Sequence, residues 1–155
     1  MKRYRVLVDT GPIVAILTEK DQHHQRCVAE LAALRPPLLT CWSVVTEAQW
    51  LLRQDPRAIE GLFRAFETKL FALLQISEDA MPALRLFLSR YRKMKPDLAD
   101  ACMTYLAERE DIDTVFTLDQ RDFSVYRYGN GRRLKTRASA APVPICSALA
   151  GTLDP

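Results

Sequence analysis

Two rhythms of apolar residues alternate along the chain. Short continuous apolar runs mark strands buried on both faces, and longer stretches with apolar residues three and four apart mark helices. Tyr4–Asp9 reads as a first buried strand with Asp9 at its carboxyl end. Thr10-Gly11-Pro12 breaks it, and Ile13 to Leu17 begins a short helix. Residues 22–34 carry Val28, Leu31, Ala32 and Leu34 at helical spacing until Pro36-Pro37 stops them. Leu38–Cys41 predicts a second strand, after which Ser43 suits the N-cap of a helix from Val44 to about Leu52, with Thr46 and Glu47 in its first turn. Asp55-Pro56 introduces a further helix over 57–69, and Phe71–Ile76 predicts a third strand. Ser77, with Glu78 and Asp79, begins a helix to about Arg92. Pro96-Asp97 opens the next, whose apolar positions include Leu98, Ala101, Cys102, Tyr105 and Leu106. Asp113–Thr117 is the fourth strand, with Asp119 just past its end, and Val143–Ile145 in the Gly-, Arg- and Pro-rich tail adds an edge strand.

Strands that alternate with helices imply an α/β fold with a central, mostly parallel sheet of four or five strands flanked by helices. In such sheets ligands bind outside the carboxyl ends of the strands, where this pattern puts both Asp9 and Asp119. A length of 155 residues suits one domain, and 48% apolar with 26% charged residues suits a globular protein. No apolar run reaches the length of a membrane span, and the basic start Met1-Lys2-Arg3 leads into a strand with no small-residue cleavage site, so a cytoplasmic location is expected. Cys27, Cys41, Cys102 and Cys146 form no Cys-x-x-Cys pair, which argues for reduced thiols rather than a zinc site or a disulfide framework. His23 and His24, the two histidines, are adjacent and read as a solvated pair, leaving no histidine elsewhere for a triad.

Four acids carry the candidate chemistry: Asp9, Glu47, Asp100 and Asp119. Taken singly, each has a structural explanation. Asp9, Asp97 and Asp119 can cap helices or open turns, Glu47 can complement a helix dipole, and Asp122 is as ambiguous as Asp119. Together they resist that reading. Glu47 lies among Trp42, Val44, Val45, Ala48 and Trp50, and Asp100 lies between Leu98-Ala99 and Ala101-Cys102. Buried carboxylates are paired, protonated or metal-bound, and no Lys or Arg stands in helical register with Glu47 before Arg53. A cluster of oxygen ligands suits a hard divalent cation such as Mg²⁺ or Mn²⁺. The net charge of +3 is small, but Arg90, Arg92, Lys93 and Lys95 form one basic cluster and Arg132, Arg133, Lys135 and Arg137 another. An acid cluster beside basic ones favours a polyanionic substrate.

The segments Val6-Leu7-Val8-Asp9-Thr10-Gly11-Pro12, Thr46-Glu47-Ala48, Asp97-Leu98-Ala99-Asp100-Ala101 and Thr117-Leu118-Asp119-Gln120-Arg121-Asp122-Phe123 resemble, in order and spacing, the motifs of PIN-domain ribonucleases, specifically VapC-like toxins of bacterial toxin–antitoxin pairs. The resemblance covers about residues 4–127 and leaves the basic tail 128–155 outside any motif. It implies a PIN-like α/β/α sandwich and a metal-dependent endoribonuclease that hydrolyses phosphodiesters. It implies Asp9, Glu47, Asp100 and Asp119 as the acidic quartet and metal ligands, Asp9 and Asp100 foremost. Thr10 matches the supporting hydroxyl residue, and Asp97 and Asp122 are extra acids where relatives vary. An RNA substrate such as tRNA, a cognate antitoxin and a homodimer are implied as partners, the antitoxin on apolar surface around residues 44–70. Two other readings compete. A haloacid-dehalogenase-like phosphatase needs a second Asp two positions after the first, where this chain has Gly11. A non-catalytic PIN-like module that binds RNA or protein tends to lose acids, and this chain has all four.

Overall fold

The computed structural model describes residues 5–137. Five parallel strands form the central sheet: β1 (Leu7–Val8), β2 (Leu38–Thr40), β3 (Phe71–Leu73), β4 (Thr114–Phe116) and, after two intervening strands, β7 (Lys135–Arg137). Their order is β3-β2-β1-β4-β7, so the first strand lies in the middle, with β2 and β4 on either side of it. Leu7 registers with Leu39 on one side and Val115 on the other, and Leu7, Val8, Leu38, Val115 and Phe116 are all fully buried. That burial on both faces is why these strands are apolar throughout instead of alternating. A separate antiparallel hairpin pairs β5 (Arg127–Tyr128) with β6 (Arg132–Arg133) through Gly129 and Gly131, both in the positive-φ region.

Seven helices connect and flank the strands among the described residues: α1 (Thr10–Leu17), α2 (His24–Ala32), α3 (Trp42–Leu52), α4 (Pro56–Glu67), α5 (Met81–Arg90), α6 (Leu98–Arg109) and α7 (Gln120–Val125). The expected α/β architecture with a parallel five-stranded sheet is therefore present. The fifth strand is Lys135–Arg137, whereas Val143–Ile145, like Tyr4, Cys146 and most of the basic tail, lies outside the described residues.

Several local expectations are corrected. The chain leaves β2 and turns helical at once, so Cys41 occupies the N-cap and Ser43 lies inside α3, its hydroxyl 3.1 Å from the Cys41 thiol. Glu47 consequently sits in the second turn, beyond the reach of the helix dipole. The third strand ends at Leu73 and not Ile76, because its partner β2 ends at Thr40. The helix read over 77–92 is a short 3-10 turn, Glu78–Ala80, followed by α5, with Pro82 in the first turn where its missing N–H costs nothing. A second 3-10 turn, Arg92–Met94, follows and ends on Lys95 at φ 54°, in the left-handed region. His24 is not merely solvated: its Nδ1 bonds the carbonyl of Ala15 at 2.8 Å and ties α2 to α1. Cys27, Cys41 and Cys102 are free and buried, as expected of reduced thiols. No helix among the described residues is long and apolar enough to cross a membrane.

Candidate metal centre at the carboxyl edge of the sheet

Because β1 and β4 are parallel neighbours, the residues that follow them emerge on the same edge. Asp9 leaves β1 as the N-cap of α1, its Oδ1 accepting from the Thr10 N–H at 2.8 Å. Asp119, two residues beyond Thr117, caps α7 by accepting from the Asp122 N–H at 3.1 Å. Asp97 caps α6 and forms a capping box with Asp100. The Asp100 N–H donates to Asp97 Oδ1 at 2.8 Å, and the Asp97 N–H donates to Asp100 Oδ2 at 3.3 Å. The structural explanation of these acids thus holds, but it does not exhaust them.

Hydroxyl groups knit the edge together. Thr117, fully buried at the end of β4, donates from Oγ1 to Asp9 Oδ2 at 2.8 Å and accepts from the Asp119 N–H at 3.0 Å. Thr10 donates to Glu47 Oε2 at 2.7 Å, so Glu47 is partnered by a hydroxyl rather than by a cation. Tyr126 donates to Asp100 Oδ2 at 3.1 Å, and its ring is packed against Phe87, Tyr91 and Phe123 at centroid distances of 4.9, 5.0 and 5.4 Å. Gly11 permits the close approach of α1 to the β4 turn: a Cβ there would stand 3.3 Å from Leu118, between Thr117 and Asp119.

Capping normally favours an ionised aspartate, since N–H donors stabilise the charge. Here burial wins. Desolvation, with smaller repulsion from Glu47 and Asp97, pushes the Asp9 carboxyl up to about 6 despite the Thr10 and Thr117 hydrogen bonds. Desolvation, then Asp97 and Asp9, pushes Asp100 up to about 7 against the Tyr126 and backbone hydrogen bonds. Asp122 is also raised, by its own burial and by Asp119. The structure therefore brings Asp9, Glu47, Asp97 and Asp100 into one repulsive neighbourhood, with Asp119 linked through Thr117 and Asp122 beside it.

Asp97 joins this neighbourhood, its charge repelling both Asp100 and Asp9. Thr117 and Tyr126 were missed as supports. Thr117 lies inside the Thr117–Phe123 segment, and Tyr126, the C-cap of α7, sets its ring 5.4 Å from that of Phe123. Among the described residues, no three or more His, Cys, Asp or Glu side chains stand as a ready metal cage. The donor set still fits a hard cation. Glu47 Oε1 and Asp100 Oδ1 carry no hydrogen bond among the described residues, since each side chain's bonds fall on its other oxygen, while the Asp119 carboxylate also shares a side-chain hydrogen bond with Asp122. Mg²⁺ keeps several of its waters and needs only one or two carboxylates, so a closed protein cage is not required.

The profile of the PIN domain family matches residues 6–128. The chain belongs to the PIN-domain family. No curated protein matches it significantly. Among solved structures it is similar to VapC20 of Mycobacterium tuberculosis, described as a sarcin-ricin loop cleaving toxin, with a TM-score of 0.68, 19% identity, and coverage of 75% of this chain and 91% of that one. At that identity the likeness shows the shared fold, and the PIN-like sheet and helices of this chain agree with it.

Proposed function

We propose that this PIN-domain chain is a metal-dependent endoribonuclease, the toxin of a toxin–antitoxin pair. One observation carries the reading: Asp9 and Asp100, from segments ninety residues apart, are both pushed up by burial and by neighbouring acids, with no lysine or arginine partner among the described residues. Perturbed carboxylates that converge on the ligand-binding edge of a parallel sheet favour a site over a scaffold.

Asp9 and Asp100 would hold Mg²⁺ or Mn²⁺, with Glu47 and Asp119 as the further acids that would support it. When bound, the cation stabilises charge on the phosphate and lowers the pKa of water. The protein's own groups set the stage. Thr10 orients Glu47, Thr117 orients Asp9 and fixes the Asp119 backbone, and Tyr126 holds Asp100 by Oδ2 so that Oδ1 stays available. The basic turn Arg90, Arg92, Lys93 and Lys95, directly before Asp97, is in no ion pair among the described residues and suits the backbone of an RNA. VapC20 is described as cleaving the sarcin-ricin loop; a structured RNA of that kind, or tRNA, is the substrate class proposed here.

The antitoxin is assigned to the exposed apolar surface of α3 and α4, where Trp50, Leu51 and Phe63 are 61%, 53% and 49% exposed. Co-expression with the neighbouring reading frame, followed by size measurement, reads this directly. A complex that survives Trp50→Glu and Phe63→Glu excludes that surface. For the nuclease itself, purified chain incubated with total RNA and Mn²⁺ is expected to cut. Excess chelator and Asp9→Asn are each expected to stop it; equal cutting in either arm removes the proposal.

A further inference from the structure

A pocket of about 220 Å³ opens between α5 and α6, on the far side of the aromatic wall that holds Asp100. Its lining includes Phe87, Tyr91, Thr104 and Tyr105, with Arg90 and Arg127 among the polar groups. Phe87 and Tyr91 both pack on the ring of Tyr126, whose hydroxyl donates to Asp100, so pocket and acidic edge share this wall. Along α6, Ala101, Thr104, Tyr105 and Glu108 line the pocket as one helical stripe. Thr104 follows Asp100 by one turn, about 6 Å of helix rise.

The chemistry of the pocket is specific. Its volume is below the roughly 300–1,000 Å³ that enclose drug-sized ligands and suits one planar ring system. The walls are aromatic and already fixed: Tyr91 Oη accepts from the Arg127 N–H at 2.9 Å, and the Phe87 and Tyr91 rings stand 4.9 Å apart. Thr104 is 4% exposed, and its Oγ1 has no hydrogen-bond partner among the described residues, an uncommon state for a buried hydroxyl. Arg90 lies 5.4 Å from the Tyr91 ring centroid, and the basic turn Arg92–Lys95, in no ion pair among the described residues, follows. Rigid aromatic faces beside cations are how proteins hold single-stranded nucleic acid without reading a long sequence.

We propose that this pocket takes one unpaired base of the RNA cut at the acidic edge, while the phosphates next to that base lie over the basic turn Arg92–Lys95. The assignment rests on the nuclease reading for the identity of the polyanion. It adds that the substrate is gripped by a splayed base one helical turn from Asp100, and so must be single-stranded there.

The test uses the full chain in excess chelator, so that no RNA is cut. A fluorescein-labelled unstructured RNA heptamer is titrated by anisotropy, and 5′-AMP and ribose 5-phosphate are titrated separately by amide NMR. Ala83→Trp plugs the pocket from an exposed position of α5, and Tyr105→Leu removes a stacking face from α6. Each is expected to weaken heptamer binding by roughly ten- to a hundredfold. 5′-AMP is expected to shift Thr104 and Tyr105, while ribose 5-phosphate shifts the basic turn alone. Wild-type heptamer affinity in both folded variants, or 5′-AMP shifts confined to the basic turn, overturns the assignment even if metal-dependent cleavage is intact. Pocket shifts with 5′-AMP in a chain that cuts no RNA support the base pocket and remove the nuclease reading instead.

Discussion

The two edges of the parallel sheet carry the same kinds of residue and treat them in opposite ways. At the amino edge Glu110, Asp111 and Asp113, which precede β4, each meet a cation. Arg5 and Arg109 meet Glu110 at 3.1 and 2.9 Å, Arg132 meets Asp111 at 2.8 Å, and Lys135 meets Asp113 at 2.9 Å. The Arg5 hydrogen bond holds Glu110 below the usual carboxylate range, and the Lys135 ammonium does the same for Asp113. At the carboxyl edge Asp9 and Asp100 meet hydroxyls, backbone and one another, and both are pushed up. Charges neutralised within a fold stabilise it; charges left in repulsion favour a counter-ion from solution, which is the basis of the proposed metal site. The second basic cluster illustrates the same point. Arg132, Lys135 and Arg137 are spent on Asp111, Asp113 and Glu30, with Arg133 alone of that cluster outside any ion pair among the described residues, whereas no member of the turn at Arg90–Lys95 is in one.

The sharpest way to break this contrast is to remove a charge from the carboxyl edge. Asp9→Asn or Asp100→Asn is expected to lower RNA cleavage by more than about a hundredfold, beyond the 10–100-fold typical of residues that only orient ligands. Thr117→Val and Tyr126→Phe belong to that lesser class: each should weaken Mn²⁺ binding by roughly 10–100-fold in a titration, with the circular dichroism of a folded chain retained.

A third consequence concerns pH. Asp9 and Asp100 have folded values of about 6 and about 7, above the ordinary 3.8 that applies when the chain is unfolded. Between those values the folded state binds more protons. The contribution of these two groups to the stability of the metal-free protein therefore falls as pH rises from about 4 to 7, by about 3 kcal/mol for Asp9 and about 4 kcal/mol for Asp100 before solvent screening reduces both. Glu110 and Asp113, whose values are lowered, contribute in the opposite sense and at more acidic pH. A thermal melt series in chelator should show lower midpoints at pH 8 than at pH 5.5, and Asp9→Asn, which retains the acceptor for Thr10, should flatten the difference. At the amino edge the effect is smallest. Glu110→Gln should cost no more than about 1 kcal/mol in a denaturant melt and leave cleavage unchanged.

Much of the fold was legible because buried parallel strands write themselves as apolar runs, and Asp9 and Asp119 could be placed by the edge they follow. What was not legible depended on contacts between distant segments. Nothing near Cys41 in sequence says that the chain turns helical one residue after β2, which moved the cap from Ser43 and Glu47 out of the first turn. Strand β3 is short because β2 is short, a property of its partner. Tyr126 reaches Asp100 across twenty-six residues, and Thr117 joins Asp9 to Asp119 only once β4 pairs with β1. Asp97 looked like a cap, and it is one; its share in the repulsion appears only when α6 is set against β1.

The most direct measurement is a calorimetric titration of the metal-free chain with Mn²⁺ at pH 8, for wild type, Asp100→Asn and Glu110→Gln. The account predicts saturable binding by wild type and Glu110→Gln and loss of that binding in Asp100→Asn. Equal Mn²⁺ binding by wild type and Asp100→Asn, or none by the wild-type chain, would contradict it.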